Sequence, residues 1–358
     1  MSIRELDHLG KTIIFGQDST HEVFNKIAEI KPYKIGLLID KQVAKTYPNV
    51  LEEMWSRFGL DMIYYIDSGD VSKTLDTVVD IWEKLFKNRF TRKSLLISLG
   101  GGVTNDIAGF VASTFMRGLP LIVIPTTLLA QADASIGGKN GINFHGKNMI
   151  GTFYIPDLVV IDPVYIKSLD MREVTNGIVE IIKHGLLSSE NLLKFLAVNR
   201  EDIINREIDV IEKAILHSIK IKLDIISRDF RETGHRMVLN LGHTIGHAIE
   251  ELSHHKISHG EAVAYGIRIA MRLGEKLFGF SDTDKIEELL FDYGLPQDFP
   301  FKLDDLLDTM KQDKKNWYGK LVFAVPREIG DIEIIGLEEE EARILLGDIL
   351  EDMCVNNV

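Results

Sequence analysis

The chain reads as an α/β protein, with an N-terminal Rossmann-like domain built on a parallel sheet followed by a mainly α-helical domain. Three observations lead there. Short apolar runs alternate with amphipathic stretches through the first half, three glycines follow one of those runs, and beyond about residue 170 the pattern turns helical almost throughout. Strand–helix alternation indicates βαβ units, because two parallel strands need a long crossover between them.

Taken in order, KIGLLID (34–40), MIYYID (62–67), SLLISL (94–99) and LIVIP (121–125) are short apolar runs that read as strands, and LVVID (158–162) extends the series. Between the second and third, Leu75, Val78, Val79, Trp82, Leu85 and Phe86 share one stripe at helical spacing, which predicts a helix over 73–87. A helix is also expected over 107–117. In the second half, helices are expected over 173–187, 203–226, 239–252 and 260–277, which puts a domain boundary near 170. The two domains are then 1–170 and 171–358.

Composition narrows the function classes. A length of 358 residues suffices for two cores, and 45% hydrophobic with 27% charged residues is ordinary for a soluble globular protein. Cys354 is the only cysteine, so no intrachain disulfide and no cysteine metal cluster can form; this favours a reducing, cytoplasmic setting. A formal net charge of −13 argues against nucleic acid as a partner, although it leaves room for a local basic pocket. The start, MSIRELDHLGK, lacks the basic-then-apolar pattern of a signal peptide. No run approaches the roughly 20 apolar residues of a membrane span.

Four segments carry chemistry. Gly100-Gly101-Gly102 follows a buried strand, with Asn105-Asp106 next. Glycines admit close backbone approach to a pyrophosphate, and a helix N-terminus favours anions, though the spacing is not G-x-G-x-x-G and a tight turn is the plain alternative. PTTLLAQADASIGGKNGINFHGKNMIG (125–151) sets Asp133, Lys139, Asn143, Lys147 and Asn148 among small residues, as a binding loop or simply a solvated one. In NGIVEIIKHG (176–185), Glu180 and Lys183 are i,i+3 on one helical face among isoleucines and valine. Such a pair is usually a surface contact, but this setting suggests a lined pocket. In LNLGHTIGHAIE (239–250), His243 and His247 lie one turn apart on one face, with Gly242 and Gly246 expected to leave room beside them; His259 follows in HGEAV. One His-x-x-x-His spacing fits a surface helix equally well. Glu180 with His243 and His259 would make a nitrogen–oxygen set for a divalent ion.

Over nearly its whole length the chain resembles the 3-dehydroquinate synthase family of sugar-phosphate cyclases. The resemblance rests on GGGVTND, MRG, PTTLLAQADASIGGK, GKNMIG, GIVEIIKHG, RETGHRMVLNLGHTIGHAIE, HGEAV and DKKNWYGKLVF. It implies conversion of 3-deoxy-D-arabino-heptulosonate 7-phosphate to 3-dehydroquinate and phosphate, with catalytic NAD and a zinc or cobalt ion. The first domain would then bind NAD and the second the metal and substrate. By motif position the resemblance makes Glu180, His243 and His259 the metal ligands. His247 becomes a proton-transfer group, in a catalytic set with Lys183, Lys139, Asp133 and Asn148. Asp40, Asp70, Lys73, Gly100, Gly101, Gly102, Val103, Asp106, Thr126, Thr127, Lys139, Lys147, Lys167 and Ser168 would hold the dinucleotide. Lys139, Lys147, Asn148, Lys183, Lys222, Arg236, Asn240, His247, Lys314 and Lys315 would meet the sugar phosphate, and Arg117 would reach the neighbouring subunit's site in a homodimer.

The chain departs from the family at Asn140-Gly141, where Thr-Ala is common, at Asn105 for glycine and at Asp70 for glutamate; the loop between Asn143 and Lys147 is one residue short. Cyclases making inosose or valiolone products are the nearest alternative, but they commonly alter the carboxylate-binding positions, and Lys222, Arg236 and Asn240 are retained. A metal-dependent polyol or alcohol dehydrogenase would have no use for Lys139, Lys147, Lys222 and Arg236 together. A non-catalytic descendant would not need every ligand and the proton carrier.

Overall fold

A computed structural model describes residues 3–254, 256–311 and 320–355, the side chains of 354 and 355 excepted. The chain forms two compact units, Met1–Leu169 and Asp170–Val358. Lys314 and Lys315, and most of the DKKNWYGK motif, lie outside the described residues.

The first unit contains β1 (Arg4–His8), β2 (Lys11–Phe15), α1 (Glu22–Ile30), β3 (Ile35–Asp40), α2 (Lys41–Thr46), α3 (Pro48–Phe58), β4 (Met62–Ile66), α4 (Leu75–Lys87), β5 (Leu95–Gly100), α5 (Gly102–Thr114), β6 (Leu121–Pro125), β7 (Lys139–Ile142), β8 (Ile150–Phe153) and β9 (Leu158–Ile161). Seven strands form one sheet in the order β1-β2-β9-β6-β5-β3-β4, parallel except for the β1–β2 hairpin at its edge. Every residue of β3 and β5 is buried, as strands covered on both faces require, and Leu37, Ile39, Ile97, Leu99, Ile122 and Val160 pack with Val23, Phe24 and Met54 of α1 and α3. From β3 the chain moves outward to β4, then returns to the other side of β3 with β5. The order therefore reverses between β3 and β5, and the carboxyl ends of those strands flank the usual ligand crevice of an open α/β sheet.

The second unit contains α6 (Met171–Ser188), α7 (Glu190–Val198), α8 (Arg200–Ile204), α9 (Ile208–Arg228), α10 (His243–Leu252), α11 (His259–Phe278), α12 (Thr283–Asp292), α13 (Leu303–Met310), β10 (Leu321–Glu328), β11 (Asp331–Leu337) and α14 (Glu339–Val355). Its core joins Ile245 and Ile249 of α10, Tyr265, Ile269 and Leu273 of α11, Phe323 and Val325 of β10, and Leu346 and Ile349 of α14.

The α/β class and the alternation of elements are as the sequence indicates, and several local expectations are corrected. The helix expected over 107–117 starts at Gly102 and ends at Thr114; Met116 and Arg117 have positive φ (51° and 66°), which breaks the helix before MRG. The helix expected over 203–226 is two helices, because Arg206 (φ 61°) interrupts it. The one expected over 239–252 starts only at His243, behind a 3₁₀ turn, His235–Asn240. The glycine-rich segment 125–151 is no open loop. It holds a π-helical turn, Ala130–Ala134, and the antiparallel pair β7–β8. The β10–β11 hairpin adds sheet to a region expected to be helical throughout.

Candidate active site

Three helices of the second unit meet at their glycines. Gly242 (φ 78°) precedes α10, and a Cβ on Gly266 of α11 would lie 1.8 Å from its carbonyl oxygen. A Cβ on Gly246 would lie 3.1 Å from the Ala262 carbonyl oxygen. So Gly242 and Gly246 do not leave room for a ligand, as expected from sequence; they let two backbones touch. The start of α11 is similarly pressed on α6. A Cβ on Gly260 would stand 2.4 Å from Asn176 Cα, and the Gly260 N–H donates to Asn176 Oδ1 at 3.0 Å. Ser258 and Glu261 fix that helix end with a reciprocal capping box. Glu180 lies one turn beyond Asn176 on the same face of α6.

This packing brings together side chains from positions 180, 243 and 259. Glu180 Oε1 is 3.4 Å from His259 Nε2 and 3.7 Å from His243 Nε2, and one ligand atom from each residue lies within 4.8 Å of the others. Two ligands about 2.0–2.1 Å from a tetrahedral ion are separated by about 3.4 Å, so the donor types and spacing fit a zinc-like cation. Both ring Nδ1 atoms face acceptors, His243 the Leu241 carbonyl oxygen at 3.2 Å and His259 Glu250 Oε1 at 3.2 Å, so donation there leaves each Nε2 lone pair toward Glu180.

Charge balances locally. Glu180 is fully buried and its Oε2 pairs with Lys183 Nζ, itself 1% exposed. Burial, then the Lys183 charge, hold His243 well below the ordinary imidazole pKa, which keeps the ring neutral. The His247 ring stands 5.4 Å from that of His243 and 6.4 Å from that of His259. Lys222 and Arg236 are buried, on α9 and on the 3₁₀ turn that packs against α9 and α6. Arg236 Nη1 donates to the Phe230 carbonyl oxygen at 2.5 Å, and Asn240 Nδ2 to Glu232 Oε1 at 2.7 Å.

The first unit gathers its charged groups at the carboxyl ends of its strands. Asp40, ending β3, caps α2 through the Gln42 and Val43 amides and accepts from Ser68 Oγ at 2.8 Å. Lys73, 4% exposed, pairs with Asp106 on α5 and donates to Asn148 Oδ1 at 2.5 Å; Lys147 Nζ is 3.6 Å from Asp70. Burial pushes the Asp106 carboxyl up, and Lys73 pulls it back in part. The Asn143 amide donates to the Lys73 carbonyl oxygen, and Asn143 Oδ1 accepts the Asn148 amide at 3.0 Å, which clasps the 143–148 loop onto this cluster. Asp106, Asn105, Ser135, Lys139 and Asn140 line one small pocket.

Gly100 gives way to Thr104, whose Cβ would stand 2.7 Å from an added one, and Gly101 to Thr127 at 3.0 Å. A Cβ on Gly102 would meet only Ala134, at 3.6 Å. Val103 follows in the first turn of α5. The Thr126 amide donates to the Gly100 carbonyl oxygen, and Thr127 Oγ1 accepts from Ala130. Asp133 sits in the π-helical turn, and Lys167 and Ser168 are the exposed last residues of a largely buried turn after β9. Arg117 is not brought to this cluster. It follows the far end of α5, about 20 Å of helix from Gly102.

Sequence reading missed Glu232, Asn176 and Glu250, whereas Ser68 opens the SGDVSK stretch (68–73) that the family resemblance assigns to the dinucleotide. Glu232 stands in RETGHR at positive φ (58°), and Glu250 falls seven residues after His243, on its helical face; that spacing was the available signal.

Residues 63–176 match the N-terminal and 177–316 the C-terminal model of 3-dehydroquinate synthase. A 3-dehydroquinate synthase of Pyrococcus furiosus is 48% identical, over 93% of this chain and 96% of its own. That of Pyrococcus abyssi is 47% identical, over 90% and 95%. A 2-epi-5-epi-valiolone synthase of Streptomyces hygroscopicus, solved with NAD+ and Zn2+ bound, superposes with a TM-score of 0.86 over 98% of this chain and 100% of its own, at 23% identity; that likeness is one of fold. With both domain models and near-full-length relatives in agreement, the chain belongs to the 3-dehydroquinate synthase family.

Proposed function

We propose that this chain is a carbon–oxygen lyase that converts 3-deoxy-D-arabino-heptulosonate 7-phosphate to 3-dehydroquinate and phosphate, a step of the shikimate pathway to aromatic amino acids. The observation that carries the reading is the convergence of buried Glu180 with half-buried His243 and His259, within a chain 48% identical to a relative of that name. In this reading 1–170 is the NAD-binding domain and 171–358 the metal- and substrate-binding domain, and the break in contacts after Leu169 supports the division. A bound zinc or cobalt ion supplies Lewis acidity to a substrate hydroxyl, and bound NAD a reversible hydride acceptor.

The chain's own groups do the rest. Glu180, His243 and His259 hold the metal, and His247 presents ring nitrogens that take or return a hydroxyl proton. Lys183, kept in place by Glu180, is with Lys222, Arg236, Asn240 and His247 the second unit's substrate-binding set, and buried cations suit a substrate carrying carboxylate and phosphate. In the first unit Asp40, Asp70, Lys73, Gly100 to Val103, Asp106, Thr126, Thr127, Lys167 and Ser168 serve the dinucleotide. The strand-order reversal and the α5 N-terminus support that placement. Lys139, Lys147 and Asn148 serve both cofactor and substrate, with Asp133 beside Lys139 in the catalytic set. Arg117, on the turn that leads into the amino end of β6, serves the partner's site of a homodimer, and its left-handed backbone supports a held orientation. The setting is the cytoplasm, and among the described residues no helix is long and apolar enough to cross a membrane.

The test is direct. Purified chain with NAD and the heptulosonate phosphate should release one phosphate per turnover with no net NADH. Chelation should abolish this and zinc or cobalt restore it. Stoichiometric NADH would indicate a dehydrogenase, and turnover only of a sugar phosphate lacking the carboxylate would indicate another cyclase.

A further inference from the structure

Resting on the reading that Glu180, His243 and His259 hold a divalent ion, we infer that Glu250 is the positioning residue of that site, the group that fixes which nitrogen of His259 faces the ion. Its Oε1 lies 3.2 Å from His259 Nδ1, while Nε2 of the same ring lies 3.4 Å from Glu180 Oε1. A neutral imidazole carries one N–H, and a carboxylate can only accept. Nδ1 therefore donates to Glu250, and the lone pair stands at Nε2. His243 obtains the same orientation from an uncharged acceptor, the Leu241 carbonyl oxygen. A charged acceptor makes its imidazole the more basic ligand, so the site has one ring oriented by a dipole and one by an anion.

The position of Glu250 is one that a carboxylate occupies at a cost. It is 3% exposed beside Ala248 and Ile249, where burying a carboxylate is costly. It also sits in the last turn of α10, where the helix dipole disfavours negative charge. An apolar side chain would serve packing better. A carboxylate is retained where it gains a hydrogen-bonded imidazole and a nearby cation.

Full-length chain stripped by a chelator and reloaded with Co2+ tests this, through Kd by competition with a chromophoric chelator and through the visible cobalt spectrum. Glu250→Gln should weaken Co2+ about tenfold and Glu250→Leu about a hundredfold, both with an altered cobalt band, while Glu250→Asp recovers part of the loss. The Tm of the metal-free Gln variant should stay within a few degrees of the parent, and this variant decides the matter should the Leu variant not fold. Glu180→Gln is the reference. If it loses the ion while Glu250→Gln binds within twofold of the parent with an unchanged spectrum, the role given to Glu250 is overturned. If Glu180→Gln itself binds Co2+ as tightly as the parent, the metal site is misassigned and this inference goes with it.

Discussion

Gly102 in the first unit and the α10–α11 glycines in the second serve opposite purposes. In the second unit Gly242, Gly246, Gly260 and Gly266 bring backbone against backbone, so that side chains 79 positions apart in the sequence (180 to 259) meet. In the first, the charged cluster draws on loops and on the first turns of α5, and a Cβ on Gly102 would meet only Ala134, in ordinary contact at 3.6 Å. The difference teaches that a glycine-rich motif has to be read from what its missing Cβ would strike. Striking a carbonyl means assembly; striking little leaves the backbone approachable.

Gly266→Ala should break the comparison most severely. The new methyl would sit 1.8 Å from a main-chain oxygen, which no rotamer change relieves. Overpacking ordinarily costs about 1–3 kcal/mol, and a backbone clash belongs at or beyond that upper end. Thermal unfolding should show a large loss, and equilibrium dialysis a loss of bound zinc with it. A stable variant with full metal content would mean that the α10–α11 contact does not assemble the site.

Gly109→Ala probes a looser clash in the first unit. There the added Cβ would stand 1.7 Å from Asn140 Oδ1, a side-chain atom, and Asn140 Nδ2 donates to the Gly138 and Tyr154 carbonyl oxygens at 2.9 and 3.0 Å. Displacing it should cost about 1–3 kcal/mol through those two bonds and local strain. The double variant Gly109→Ala, Asn140→Ala should recover much of the Tm, an outcome unavailable to Gly266→Ala. Additive losses in the double variant would show that the two residues do not share the space.

How much of this was legible follows the same line. The helical face shared by His243 and His247 depends only on spacing, and it stood in the sequence plainly. The strands β3, β5 and β6 were equally plain, because burial on both faces leaves unbroken apolar runs. The purpose of Gly242 and Gly246 was not, since the atoms they admit belong to α11, which spacing within α10 cannot reveal. Breaks at Arg206, Met116 and Leu9 were hidden because each adopts positive φ without being Gly or Asn, against its intrinsic preference. Leu9 thereby masked the β1–β2 hairpin, although Gly10 (φ 80°) supplied half of a turn signal.

Gly102→Ala sharpens the comparison by moving two quantities in opposite directions. Its backbone is not left-handed, and alanine is the better helix former by roughly 0.8–1 kcal/mol in a helix interior. Thermal stability should hold or rise slightly. If Gly102 is kept for close approach of a pyrophosphate, NAD affinity measured by fluorescence quenching should fall about tenfold, or about 1.4 kcal/mol. Unchanged affinity would reduce the glycine run to a tight strand-to-helix turn.

The smallest effect concerns the loop that carries Arg236. Asp229 accepts the amides of Thr233, Gly234 and Arg236 at 3.0, 2.8 and 3.1 Å, and those bonds, that of Thr233 foremost, pull its pKa down to about 2 from an ordinary 3.8. A carboxyl depressed in the folded state favours folding above its unfolded pKa. Its contribution is complete above about pH 4 and is lost as pH falls toward 2. Asp229→Asn keeps one acceptor oxygen and removes the charge, so its stability should lack this component of the acid decline while following the parent otherwise. At neutral pH, with Arg236 binding substrate as proposed, the same variant should raise KM for the sugar phosphate more than it lowers kcat, because the Arg236 amide is held by Asp229. Identical acid profiles for variant and parent would mean that the loop before the 3₁₀ turn keeps its shape without the Asp229 charge.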